Sequence, residues 1–252
     1  MKVLLGNVGV SEKNGEFVTK MMLPTWKKNF QLAKRANTEI TLRVSEWGIR
    51  GMEGFFNHTI DTLNRQLIFQ GCKDADKEGF DVLLITCFGD PMLDNMRSWL
   101  NIPVVSIGEA ACRTASLMGK KFGIVHVSEK NIPECYEQVE NYGLGKWLAG
   151  VVATRETPAE QAHALVDAHG AIEAFKEAGR KLIDMGAEVL IPACGLMSPS
   201  LRMAPACEDI YPKGFTEVDG VPIVDVLACG IKYAEMMYDL KTAGSSWISR
   251  KG

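Results

Sequence analysis

Short apolar, β-branched runs alternate along the chain with longer stretches whose apolar positions recur at helical spacing. That alternation predicts βαβ units and mostly parallel sheets. Residues 3–8, 40–45, 82–86, 104–107, 122–127, 148–153, 189–191 and 223–226 read as strands. Between them, Phe56, Ile60, Leu63 and Leu67 repeat with helical period, and so do Ala171, Phe175, Ala178, Leu182 and Met185. Each stripe predicts a helix that covers a sheet face and runs into the next strand. Residues 197–220 break the rhythm at Pro199, Pro205 and Pro212, which predicts an irregular segment, a lid or subunit contact in preference to a disordered loop. Residues 241–252 are polar and predict a frayed tail, with Trp247 free to dock.

Two segments repeat one pattern. Gly79-Phe80-Asp81-Val82-Leu83-Leu84-Ile85-Thr86-Cys87 and Gly186-Ala187-Glu188-Val189-Leu190-Ile191-Pro192-Ala193-Cys194 share a glycine, an acid, an apolar run and a cysteine. Downstream, Ile102-Pro103-Val104-Val105-Ser106-Ile107 matches Val221-Pro222-Ile223-Val224-Asp225-Val226. A half-length repeat predicts two pseudo-symmetric doubly wound α/β lobes with one thiol each, facing a shared interlobe cleft. Crossings near 109–121 and 221–225 divide the chain into a first lobe, residues 1–115 plus 225–252, and a second, residues 116–224. The last helix, 225–240, would return to the first lobe.

Composition narrows the function. A chain of 252 residues, 46% hydrophobic and 23% charged, is ordinary for a globular protein. A formal charge of −3 and no basic run at either end argue against nucleic acid. No apolar stretch reaches the ~18 residues a membrane span needs. The N-terminus enters a strand without a signal-peptide pattern, and seven cysteines at irregular spacing fit a reducing cytoplasm. Without a CxxC pair, and with four histidines lacking ligand spacing, no metal is expected.

In open parallel sheets, ligands bind beyond the carboxyl ends of the strands. Cys87 and Cys194 each close a strand, ahead of a turn that should open a helix. The helix dipole and turn N–H groups there stabilise a thiolate. Two such sulfurs on opposite walls could flank one carbon, one removing a proton and the other delivering one to the opposite face. A thiol pKa of about 8.5 lies close enough to neutrality to supply both protonation states. Thr86, Phe88 and Gly89 beside the first sulfur, and Gly195 and Leu196 beside the second, would bind substrate and offer donors to an enolate oxygen. Otherwise both cysteines pack as small hydrophobes, as Cys72, Cys112, Cys135, Cys207 and Cys229 are expected to do.

The segment Cys87-Phe88-Gly89-Asp90-Pro91, followed by Ile102-Pro103-Val104-Val105-Ser106-Ile107-Gly108-Glu109-Ala110-Ala111, closely resembles the aspartate/glutamate/hydantoin racemase superfamily, nearest its hydantoin and allantoin racemase branch. The segment ending Pro192-Ala193-Cys194-Gly195 is similar to that family's second cysteine motif. The resemblance spans residues 3–240. It implies a cofactor-independent 1,1-proton transfer on a small molecule, Cys87 and Cys194 as the acid/bases, and a homo-oligomer. The chain departs from the branch at Gly6-Asn7-Val8-Gly9, where relatives carry an Asn-Pro-Asn-type turn, and at His126, where they more often carry Thr. On this reading Asn7 offers its amide to a substrate carbonyl. His126 either binds a carboxylate or imide, or is a satisfied buried histidine.

Several readings stay open. A hydantoin or allantoin-type ureide leads, with aspartate or glutamate second. A decarboxylase or cis–trans isomerase of the same superfamily is a third, and a two-lobed small-molecule binding protein a fourth. Glu109 caps a helix start or touches substrate; Arg202 clamps a carboxylate or is solvated; Trp26 and Trp47 line either pocket or core.

Overall fold

The first sheet is built by period-two burial. In β1 (Lys2–Gly6) and β3 (Val82–Ile85), Val3, Leu5, Val82 and Leu84 turn to one face, and Leu4, Leu83 and Ile85 to the other. Both faces are buried, so the strands are apolar throughout, as parallel strands covered by helices must be. This computed structural model describes residues 1–6, 17–43 and 58–246. With β2 (Glu39–Leu42) and β4 (Val104–Ser106), the order is β2-β1-β3-β4, all parallel. The second sheet holds β5 (Phe122–His126), β6 (Leu148–Ala153) and β7 (Val189–Pro192), also parallel, in the order β6-β5-β7. Ile223 bridges Leu190 in parallel and takes the place beside β7 that β4 takes beside β3. The repeat in sequence is therefore a repeat in space.

The strand expected at 223–226 shrinks to that single bridge. Asp225 accepts the N–H of Ala228 and opens α9 (Val226–Thr242). Its counterpart Ser106 accepts the N–H of Glu109 and opens α4 (Ile107–Met118), ending β4 one residue before the expected limit. Side-chain capping outweighs the β-branched run at both places. Of the expected strand 40–45, residues 44 and 45 lie outside the described residues, as do 7 and 8 of the first strand.

The remaining α-helices among the described residues are α1 (Leu23–Ala33), α2 (His58–Cys72), α3 (Leu93–Trp99), α5 (Ile132–Asn141), α6 (Pro158–His163), α7 (His169–Asp184) and α8 (Met197–Met203). On α7, Ala171, Phe175, Ala178 and Leu182 are buried as their spacing predicts, but Met185 lies past the helix end and is 51% exposed. On α2 the expected stripe is displaced. Leu63 is exposed, Phe56 is outside the described residues, and Ile68 and Cys72, four apart, pack against Gly6 of β1. Two apolar rows compete on that helix, and the contact with the sheet selects one.

Residues 197–220 are irregular only in part, over 204–216. Their first third is α8, buried from Met197 to Leu201. Pro199 stands in its first turn, where a helix needs no N–H from it, so the proline does not break the helix. A hairpin of β8 (Glu217–Val218) and β9 (Val221–Pro222) closes the segment. Helix α4 leaves the first sheet and touches β5 and β7 of the second. Helix α9 packs on α4, α1, β3 and β4. Among the described residues, no helix is long and apolar enough to cross a membrane.

Candidate active site

The carboxyl ends of the strands bring the two cysteine turns together. A side chain at Gly195 would place its Cβ 2.9 Å from the backbone oxygen of Thr86 and 3.3 Å from the Trp26 ring. Only glycine allows that approach. Trp26, buried on α1, donates its indole N–H to the Gly195 carbonyl at 2.8 Å and seats the second turn against the first lobe. Trp26 is therefore a core residue that braces the site; Trp47 lies outside the described residues.

Cys194 is buried, and its sulfur accepts the N–H of Leu196 at 3.4 Å and that of Met197. Burial raises its thiol pKa, those two N–H groups oppose the rise, and the nearby Glu156 carboxylate adds to it. The sulfur thus rests as a thiol, with backbone dipoles placed to meet the negative charge it gains on losing its proton. Cys87 is half-buried. Burial pushes Cys72 up to about 11, Cys135 to about 12 and Cys229 to about 11, and Cys112 well above the usual thiol value. These thiols stay protonated and pack.

The turn after Cys87 is held from the second lobe. Phe88 is buried and its carbonyl accepts a hydrogen bond from Gln138 of α5. Gln138 also donates to the Tyr142 hydroxyl at 2.6 Å, and Tyr142 donates to Asp90. Burial pushes the Asp90 carboxyl up to about 7, against the lowering effect of the Tyr142 bond. Its Oδ1 is buried without a hydrogen-bond partner among the described residues. Asp90 and Met92 both have positive φ, 48° and 64°, a region that non-glycine residues rarely occupy. Gly108 lies under this turn: a Cβ there would sit 2.2 Å from the Phe88 carbonyl oxygen and 2.6 Å from Asp90 Oδ1.

Thr86 directs its donors into the first sheet. Its N–H and hydroxyl both donate to the Gly6 carbonyl, at 2.8 and 3.1 Å, so Thr86 faces the site with its own carbonyl. Leu196 gives its N–H to Cys194 rather than offering it to a ligand. Gly89 is exposed, with open space beside it. Asn7 lies outside the described residues. His126 ends β5 half-buried, and its Nδ1 accepts the Ser128 N–H at 3.1 Å. That bond places the ring proton on Nε2, and burial lowers the pKa to about 4, so the imidazole is neutral near pH 7. A neutral donor suits an imide carbonyl rather than a carboxylate.

The charged candidates serve the fold. Glu109 pairs with Arg97 at 2.6 Å and Arg113 at 2.7 Å, which holds its carboxyl low against burial. Arg202 pairs with Asp225 at 3.7 Å and donates to the Lys213 carbonyl. Glu156, absent from the sequence reading, follows β6, accepts from the Thr154 hydroxyl at 2.8 Å and is raised by burial. A lone acid in a loop leaves no signal in sequence of the distant thiol whose charge it will oppose.

Two parallel α/β sheets, each with a thiol beyond its third strand, define a two-lobed fold of racemase type. Residues 19–234 match the Asp/Glu/Hydantoin racemase family; the chain belongs to that family and so to the isomerases. A hydantoin racemase of Pseudomonas sp. (strain NS671) is 25% identical over 209 residues, covering 82% of this chain and 77% of that protein. A hydantoin racemase of Paenarthrobacter aurescens is 27% identical over 198 residues, covering 75% and 74%. Among solved structures, an allantoin racemase from Klebsiella pneumoniae has a TM-score of 0.76 at 21% identity, over 100% of this chain and 91% of that one.

Proposed function

We propose that this protein racemises a five-membered cyclic ureide, a 5-substituted hydantoin or an allantoin-type compound, with Cys87 and Cys194 as its two acid/bases. The observation that supports the reading is the contact of the two turns, Thr86 against Gly195, each the chain neighbour of one of the two cysteines. The thiolate of one cysteine takes the proton from the carbon beside the carbonyl and becomes a thiol. The other thiol gives its proton to the opposite face of the enolate and becomes the thiolate. No net proton is consumed, and the enzyme returns in the alternate protonation state, ready for the reverse enantiomer. The neutral His126 Nε2–H is a donor for the developing oxyanion.

A neutral ureide suits the site better than a dicarboxylic amino acid, since Arg97, Arg113 and Arg202 are held by carboxylates of the protein itself. The lobes divide as residues 1–115 plus 225–252 and 116–224, a division supported by the packing of α9 on α4, β3 and β4. Seven free thiols suit the reducing cytoplasm. The test is solvent deuterium exchange on each enantiomer of a hydantoin panel, read by NMR and chiral chromatography. Inverted product should carry deuterium at the stereocentre. Normal racemisation by both Cys87→Ala and Cys194→Ala would remove these residues from the chemistry.

A further inference from the structure

The second lobe gathers another set of ligating atoms, distinct from the cysteine turns. A carboxylate oxygen of Asp167, Nδ1 of His169 and Sγ of Cys207 all lie within 4.8 Å of one another. Asp167 Oδ1 stands 2.8 Å from His169 Nδ1 and also accepts the His169 backbone N–H at 3.0 Å. These two residues flank the start of α7, while Cys207 arrives from the loop that follows α8. That loop is pinned by a hydrogen bond from the Ala168 N–H to the Pro205 carbonyl at 2.9 Å. Ala204 and Ala206 hold positive φ, 42° and 60°, and turn the buried Cys207 inward. A cavity of about 280 Å³ opens beside the group, and Glu156, Glu160 and His163 line it.

Carboxylate, imidazole and thiol together form a ligand set that borderline-soft divalent ions favour over calcium or magnesium. Zinc bonds of about 2.0–2.3 Å in a tetrahedron need ligand atoms about 3.3–3.8 Å apart, which small side-chain rotations would reach here. We propose that Asp167, His169 and Cys207 form a binding site for a tetrahedral transition-metal ion of the zinc class, its fourth position open to the adjoining cavity. Binding exchanges the Cys207 S–H bond for a sulfur–metal bond, and the thiol proton leaves to solvent. The His169 ring proton moves to Nε2, so Nδ1 turns its lone pair from a proton to the ion. The ion would tie the loop after α8 to the start of α7 and so brace the helix that begins beside Cys194. Spacing along the chain hides the site, because its sulfur lies far from the Asp-x-His pair.

The test is a titration of tag-free, chelator-treated protein with Co²⁺. One equivalent should bind, with a thiolate-to-cobalt charge-transfer band, the strong visible bands of four-coordinate cobalt, and about one proton released per ion. Cys207→Ser should lose the charge-transfer band, and His169→Ala should weaken binding at least ~10-fold. Cys87→Ser and Cys194→Ser should keep the band, which separates this site from the proposed catalytic pair. Zn²⁺ should displace the cobalt and raise the melting temperature of the unmodified chain but not of Cys207→Ser. No cobalt uptake by protein with an unchanged circular dichroism spectrum, or a band of equal strength in Cys207→Ser, would overturn the proposal.

Discussion

The two cysteine turns occupy equivalent places in the two sheets, yet they are held in different ways. The Cys194 turn holds its sulfur from within, by N–H groups of the next two residues beyond Gly195, with buried α8 directly after it and Trp26 of the first lobe bonded to the Gly195 carbonyl. The Cys87 turn is stabilised from outside, through Phe88 and Asp90 bound by Gln138 and Tyr142 of the other lobe. A repeat can thus preserve the position of a sulfur while replacing the means of fixing it. On the proposed mechanism the consequence is asymmetry. Cys194 has its charge met by N–H groups of its own turn, while Phe88 and Asp90 tie the Cys87 turn to the other lobe.

Removing either sulfur is the severest way to break the comparison. Cys87→Ala or Cys194→Ala should lower kcat for racemisation by at least ~10³-fold, in line with the loss of a general acid/base, measured by chiral chromatography. Each single variant should still exchange solvent deuterium into one enantiomer with retention, through the cysteine that remains.

Gly195→Ala tests the contact between the turns. Its methyl group would meet the Thr86 carbonyl at 2.9 Å, so the turns must part. A displacement of that order should cost about 10²-fold in kcat/KM, with the fold retained by circular dichroism. Unchanged kcat/KM would mean that the turns act independently.

Asp90→Asn sharpens the asymmetry through pH. The buried carboxyl has its pKa raised from an unfolded value of about 3.9 to about 7, so between those values the folded state holds more protons than the unfolded state. Stability from this group is present below about pH 4 and is lost as pH rises toward 7, at no more than about 1.4 kcal/mol per pH unit. Urea melts of the unmodified chain should show that decline. The Asn variant should lack it and so gain stability relative to the unmodified chain from pH 5 to pH 7. Parallel pH profiles of the two proteins would show that Asp90 does not titrate in this range.

His126→Gln should have the smallest effect. On the proposed mechanism the neutral ring serves the substrate as a donor, so the amide should retain part of its function, with kcat down about tenfold and KM little changed. Because burial lowers the imidazole pKa to about 4, kcat/KM should show no histidine titration between pH 6 and 8 in either protein. A loss of the acid limb in the variant would mean that His126 is charged in the working enzyme.

Local pattern was legible wherever one residue's environment depends on its near neighbours in the chain. The strand runs, the buried row of α7 and the matched cysteines all follow from alternation and helical period. Sequence reading failed where two local rules competed. The β-branched run at 223–226 lost to the Asp225 cap, and the prolines after residue 196 concealed α8 because Pro199 falls in a permissive first turn. It failed again where partners come from distant segments, as with Trp26 and Gly195, or Gln138 and Phe88.

By itself, then, the chain determined two similar α/β halves and a thiol at the same strand end in each, because periodic burial and repeated spacing are properties of contiguous residues. Tertiary structure alone decided that Gly195 rests on Thr86, that Tyr142 holds Asp90, and that Asp167, His169 and Cys207 converge. Those contacts draw on segments whose separation along the chain carries no period, and only the packing of helices against two sheets brings them together.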